Sequence, residues 1–131
     1  MILINKNSSN DVILTLSEKT TLTNAVYLFE VINDMTNDVK CFIAEDISNN
    51  KLRYNEFTFI ESTTEDLLNG TFNLELSGFY KYNVYEQTST TNLDPLLALN
   101  LIDKGKLNVA SLLVDYPVYT GNENNIVAYG G

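Results

Sequence analysis

Short runs in which every second residue is apolar recur from Val12 to Glu86, separated by clusters of Asn, Asp, Ser, Thr and Gly. A period of two places alternate side chains on opposite faces of an extended chain, so the pattern predicts antiparallel strands joined by polar turns. The strongest run, Ala25 to Ile32, sets Tyr27, Phe29 and Val31 on one face and Val26, Leu28 and Ile32 on the other. A strand apolar on both faces is either central and covered twice, or turned toward a partner. Before it, Val12, Leu14 and Leu16 alternate with Ile13 and Thr15; after it, Asn33–Asp38 reads as a hairpin loop and Val39–Glu45 as the return strand.

The same reading continues downstream. Asp46–Lys51 is a loop, Arg53–Glu61 a strand, and Asn69-Gly70 predicts a hairpin before Thr71–Leu76, where Phe72, Leu74 and Leu76 point inward. Gly78 breaks or bulges the chain ahead of a strand from Phe79 to Glu86, with Tyr80, Tyr82 and Val84 on one face and Phe79, Lys81, Asn83 and Tyr85 on the other. Asp94-Pro95 has the form of a cap followed by proline at the first helical position, so Leu96–Leu99 is either one helical turn or loop. Lys104-Gly105 predicts a tight turn between Leu101–Asp103 and Lys106–Val109. Leu112–Tyr129 contains Pro117 and is expected to form one or two edge strands, because proline cannot donate to an interior ladder. These runs predict an all-β fold, an antiparallel β-sandwich of Ig-like or jelly-roll-like kind, as a single domain over residues 1–131 with little or no helix.

With 131 residues the chain can bury a sizeable core without a disulfide or metal, and its one cysteine, Cys41, lies in a strand-like stretch as a small hydrophobe. Seventeen acidic against eight basic residues give a net charge of −9. That balance argues against phosphate-backbone binding and against anionic membranes, so neither nucleic acid nor membrane is expected as a partner. No apolar run has the length of a membrane span, and the N-terminal apolar stretch is too short for a signal-peptide core.

Catalytic chemistry is poorly supplied, and the chain is read as no enzyme. It has no histidine, and no glycine-rich phosphate loop, GxSxG or Cys/His cluster. Glu61, Glu65 and Asp66 are candidates for paired carboxylates but read as solvated charge in turns and on outward strand faces. Asn33, Asp34, Asn37 and Asp38, or more poorly Asp46, Asn49 and Asn50, could gather oxygens for calcium, yet turn chemistry explains both sets, so no metal and no cofactor are expected. The aromatic strand Gly78–Gln87 is either core packing or, on its Phe79/Tyr85 face, a contact for protein or glycan.

The stretches "TLTNAVYLFEV", "CFIAEDIS" and "RYNEFTFIES", followed by "LNGTFNLELSGFYKYNVYEQTSTTNLDP" and "LIDKGKLNV", resemble small virion proteins of tailed phages, closest to the crAss-like phages of gut Bacteroidales. The resemblance covers nearly the whole chain and rests on structural motifs; Asp103 stands before the Lys-Gly pair where related proteins often show Glu. It implies a β-sandwich on the outside of the particle, a head fibre or capsid decoration subunit, made in the host cytoplasm and located on the virion. It also implies a homo-oligomer, dimer or trimer, docked on virion proteins such as the major capsid protein. A glycan-binding module and a portal or tail adaptor remain the alternatives. Candidate interface positions are Ile2, Leu3 and Ile4, Phe79 and Tyr85, and Val114, Tyr116, Val118 and Tyr119, each of which could equally belong to the protein's own sheets.

Overall fold

The computed structural model describes residues 1–110. Eight strands lie among them: β1 (Ile2–Asn5), β2 (Ser9–Leu14), β3 (Val26–Asn33), β4 (Val39–Ala44), β5 (Asn55–Glu61), β6 (Thr71–Phe72), β7 (Gly78–Gln87) and β8 (Asn100–Ala110). The one helical element described is a 3-10 turn, Pro95–Leu97, which Asp94 caps by accepting from Leu96 N at 2.9 Å. The fold is therefore all-β. Five strands form one sheet in the order β1-β8-β7-β3-β4 and three form a second in the order β2-β5-β6. Both sheets are mixed: β1 runs parallel to β8 and β5 parallel to β6, while the remaining pairs are antiparallel.

The two sheets share one core because the alternation in each strand sends one face inward. From the five-stranded sheet come Ile2, Ile4, Tyr27, Phe29, Val31, Phe42, Tyr80, Tyr82, Val84, Leu107 and Val109; from the three-stranded sheet come Val12, Phe57, Phe59 and Phe72. Phenylalanine rings knit the sheets together. Phe29 meets both Phe57 and Phe59 edge-on at 5.0 Å between centroids, and Phe42 stacks on Phe72 at 4.2 Å. Such offset and edge-to-face pairs add about 0.5–1.5 kcal/mol each beyond the area they bury. As expected for a strand apolar on both faces, β3 is interior, paired to β7 on one side and β4 on the other.

Three local expectations are corrected. Asn69-Gly70 does sit in a tight loop, with Gly70 at φ 73°, but the loop closes a single bridge between Asp66 and Thr71 rather than a hairpin of long strands. The strands it was expected to join, β5 and β6, run parallel, with Ile60 opposite Thr71. The second of them is only two residues long: Phe72 and Leu74 are buried as expected, but Leu76 is exposed. Lys104-Gly105 is no turn. It lies inside β8, an unbroken strand of 11 residues. The glycine is needed there because a Cβ at position 105 would fall 2.8–2.9 Å from the Tyr82 ring, which fills the space that a side chain would take.

That close approach yields a test. Gly105→Ala forces the buried ring of Tyr82 or the β8 backbone to move, an overpacking cost of about 1–3 kcal/mol. Urea denaturation is expected to show a lower midpoint with an unchanged slope, whereas a neutral result would mean that the ring is free to yield.

Candidate functional site

The buried polar side chains lie where loops meet strand ends, and each holds a loop in place. Asn10 accepts from Asn5 N at 2.9 Å and donates to the carbonyls of Asn5, Ser8 and Phe59, which fixes the corner where the chain passes from one sheet to the other. Asn7 takes a positive φ of 55° at that corner, a conformation asparagine tolerates well. Glu61 was expected to be solvated; it is buried instead, accepting from Asn7 N at 2.8 Å and Leu74 N at 2.9 Å. Asn55 receives Leu16 N and passes its amide to Asp46 at 2.6 Å.

Glu86 is a fully buried carboxylate held by four donors. Its carboxylate accepts from Thr21 N, the Thr21 hydroxyl, Leu22 N and Asn100 Nδ2 at 2.6–3.2 Å. Burial pushes its pKa up, but these donors outweigh burial and hold the carboxyl below the usual carboxylate range. Asp46 behaves alike: burial raises it, while Asn55 and the backbone amides of Ser48 and Glu56 bring it below its ordinary value. These are saturated acceptors with no free proton traffic, a poor arrangement for general acid–base work. Of the loop oxygens considered for calcium, Asn33 Oδ1 accepts from Met35 N and Thr36 N and Asp34 Oδ2 pairs with Lys106 at 2.7 Å, while Asp34 Oδ1 is buried without a partner. Among the described residues no three His, Cys, Asp or Glu side chains gather as metal ligands, and no helix is long and apolar enough to cross a membrane.

The Cys41 thiol is half-buried, and burial first, then the charges of Glu30 and Asp94, push its pKa to about 11. A thiol held protonated in this way is a weak nucleophile. On the same side of β3 and β4, Leu28 and Ile43 are buried although they lie outside the main core cluster.

The outward face of the five-stranded sheet holds the more informative surface. Strand register sets Leu3, Asn108 and Phe79 side by side across β1, β8 and β7; Leu3 is 68% and Phe79 53% exposed. Of the N-terminal candidates only Leu3 faces outward. Ile2 and Ile4 are core residues, because the same alternation that frees Leu3 turns its neighbours in. Tyr85 is half-buried and donates to Glu30 at 3.1 Å. It lies six residues along the strand from Phe79, about 20 Å at 3.3 Å per residue, so the two rings do not form one stacking platform. Val114, Tyr116, Val118 and Tyr119 lie outside the described residues.

A second apolar patch went unnoticed in the sequence. Leu96, Leu97, Leu99 and Leu101 are all exposed around the 3-10 turn, Leu96 at 91%. The spacing of "PLLALNL" was a visible signal, but exposure cannot be read from composition. A groove of about 590 Å³ on another side is lined by polar groups including Asn33, Asp38 and Asn73, with the Lys40–Glu65 ion pair at 2.5 Å in its wall. Comparison with known protein families, with curated proteins and with solved structures returns no match.

The carboxylates supply a pH prediction. A group whose folded pKa is lowered contributes stability above its unfolded value, near ~4 for carboxylates, and loses it as pH falls through the folded value. Glu86 and Asp46 both act in this direction. Glu86→Gln is expected to cost about 1–3 kcal/mol at neutral pH and to make the decline in stability below about pH 5 shallower. Thermal melts between neutral and acid pH check both parts, and an unchanged acid limb contradicts the assignment.

Proposed function

We propose that this chain is a non-enzymatic structural domain of a phage virion, an immunoglobulin-type β-sandwich attached to the head as a fibre or decoration subunit. The finer fold assignment draws on strand pairing. In immunoglobulin sandwiches strands B and E share one sheet and C, F and G the other, with C′ added beside C in the variable type. The pairs β2–β5 on one side and β4-β3-β7-β8 on the other reproduce that division. Tyr80, third in β7, donates its hydroxyl to Leu76 O at 2.7 Å, four residues upstream. That bond supports the immunoglobulin-type reading, because such domains carry a tyrosine corner of this form near the start of strand F. The two parallel pairs fit a jelly roll less well. The disulfide and tryptophan of antibody domains are replaced by the phenylalanine cluster.

The functional part is carried by one observation: the polar chemistry is spent on loop anchoring, while large apolar side chains such as Leu3, Phe79 and Leu96 are left on the surface. Exposed apolar groups at register-matched positions suit docking to other proteins. The resemblance to crAss-like phage virion proteins supplies the setting. The Phe79/Tyr85 spacing argues against a shared sugar platform, which leaves the glycan-binding alternative without a site on that strand.

Two measurements test the parts separately. Mass spectrometry of purified particles is expected to find the protein at many copies per virion; its absence would end the virion reading. Tyr80→Phe, which removes only the corner hydroxyl, is expected to cost about 0.5–1.5 kcal/mol in chemical denaturation, and a neutral result would contradict the corner.

A further inference from the structure

The charge of this molecule is unevenly placed, and its two outward sheet faces oppose each other in sign. On the outer side of β7 and β8, Lys81 stands opposite Lys106 and Lys104 opposite Asn83. Of the eight basic residues in the chain, three therefore occupy one patch of a protein with a net charge of −9. Lys106 is paired with Asp34, and Glu30 on the same face is engaged by Asn83 and Tyr85. Lys81 and Lys104 have no carboxylate partner among the described residues. Leu3 and Phe79 border this basic patch.

The outer side of the other sheet is the reverse. β2, β5 and β6 carry no lysine or arginine. Outward positions Asp11 and Glu56 flank Ile13, which is 64% exposed and directly opposite Glu56. Lys51 and Arg53 belong to the loop before β5, outside the strands themselves. Each face thus has an exposed aliphatic or aromatic group among charges, and the charges on the two faces complement one another.

We infer that the outer face of β1-β8-β7 docks a second copy of this chain through the outer face of its β2-β5 pair, Lys81 and Lys104 meeting Asp11 and Glu56. The inference builds on the assembly part of the proposal above and not on the virion setting. Because the two faces differ, the contact is heterologous: it repeats in one direction and builds open stacks rather than a closed dimer. The smaller face limits it. Six residues by two or three strands span a few hundred Å², below the ~800 Å² per partner of a stable complex. Stacking in free solution is accordingly weak and becomes substantial at high local concentration. The overall negative charge opposes it at long range, but at ~0.15 M salt the screening length is about 8 Å, so the repulsion fades while contact pairs persist.

Sedimentation and light scattering of the full chain over a range up to millimolar test this. The weight-average mass is expected to rise with concentration at ~0.15 M salt and to fall back toward the monomer at ~1 M. Lys81→Glu with Lys104→Glu is expected to weaken association at least about tenfold, and so is Asp11→Lys with Glu56→Lys. An equimolar mixture of the two variants restores it, since a face made acidic and a face made basic again meet. A wild-type protein that stays monomeric throughout, association unmoved by salt or by either reversal, or a mixture that fails to associate would each overturn the inference. The salt series needs no variant, so the question is answered even if a reversed chain folds poorly. Failure here leaves the particle mass spectrometry untouched, and the converse holds as well.

Discussion

Everything in this structure depends on the phenylalanine contacts between the two sheets. Phe29 and Phe42 reach across from the five-stranded sheet to Phe57, Phe59 and Phe72 on the other, all five fully buried. Aliphatic and tyrosine side chains such as Ile4, Val31, Tyr82 and Leu107 fill the core around them. Phe→Ala at such a position costs about 3–5 kcal/mol, a large share of the 5–15 kcal/mol by which a domain is stable. The rings do the work that a disulfide performs in secreted domains of similar pairing, and a chain with a single cysteine has to rely on them.

A core of this kind leaves the connections to be held by polar groups. Asn10 and Glu61 fasten the corner between β1 and β2, and Asn55, with Asp46 behind it, and Glu86 fasten the connection between β2 and β3, each by accepting backbone amides. A buried carboxylate is costly without donors and rigidifying with them. This division has a functional consequence. The buried acids belong to the scaffold, and the proposed function accordingly rests on the exposed apolar groups and the charge of the outer faces.

Much of the fold could be read from local pattern, and the failures share one cause. β3, the Asn33–Asp38 loop and the inward stripe of Tyr80 and Tyr82 follow from alternation and turn chemistry, which are properties of neighbouring residues. Gly105 looked like a turn because its real requirement, the ring of Tyr82 on the next strand, lies 23 residues away in sequence. Glu61 looked like solvated charge because the amides it serves, those of Asn7 and Leu74, come from distant segments. Ile2 and Ile4 looked available because nothing nearby announces that β1 will pair in parallel with β8. On the candidate surface, Phe79 and Leu3 were legible one at a time, but their placement on either side of Asn108 is a product of register.

The proposal that this domain serves by its surface, as a repeated part of a phage head, is tested most directly by a cryo-EM map of the particle. The account predicts density for this two-sheet domain at regular positions on the capsid exterior, with Leu3, Phe79 or Leu96 in contact with a neighbouring subunit. A map in which every repeated exterior density is accounted for by other chains, or in which this domain is found with those side chains facing solvent, would contradict it.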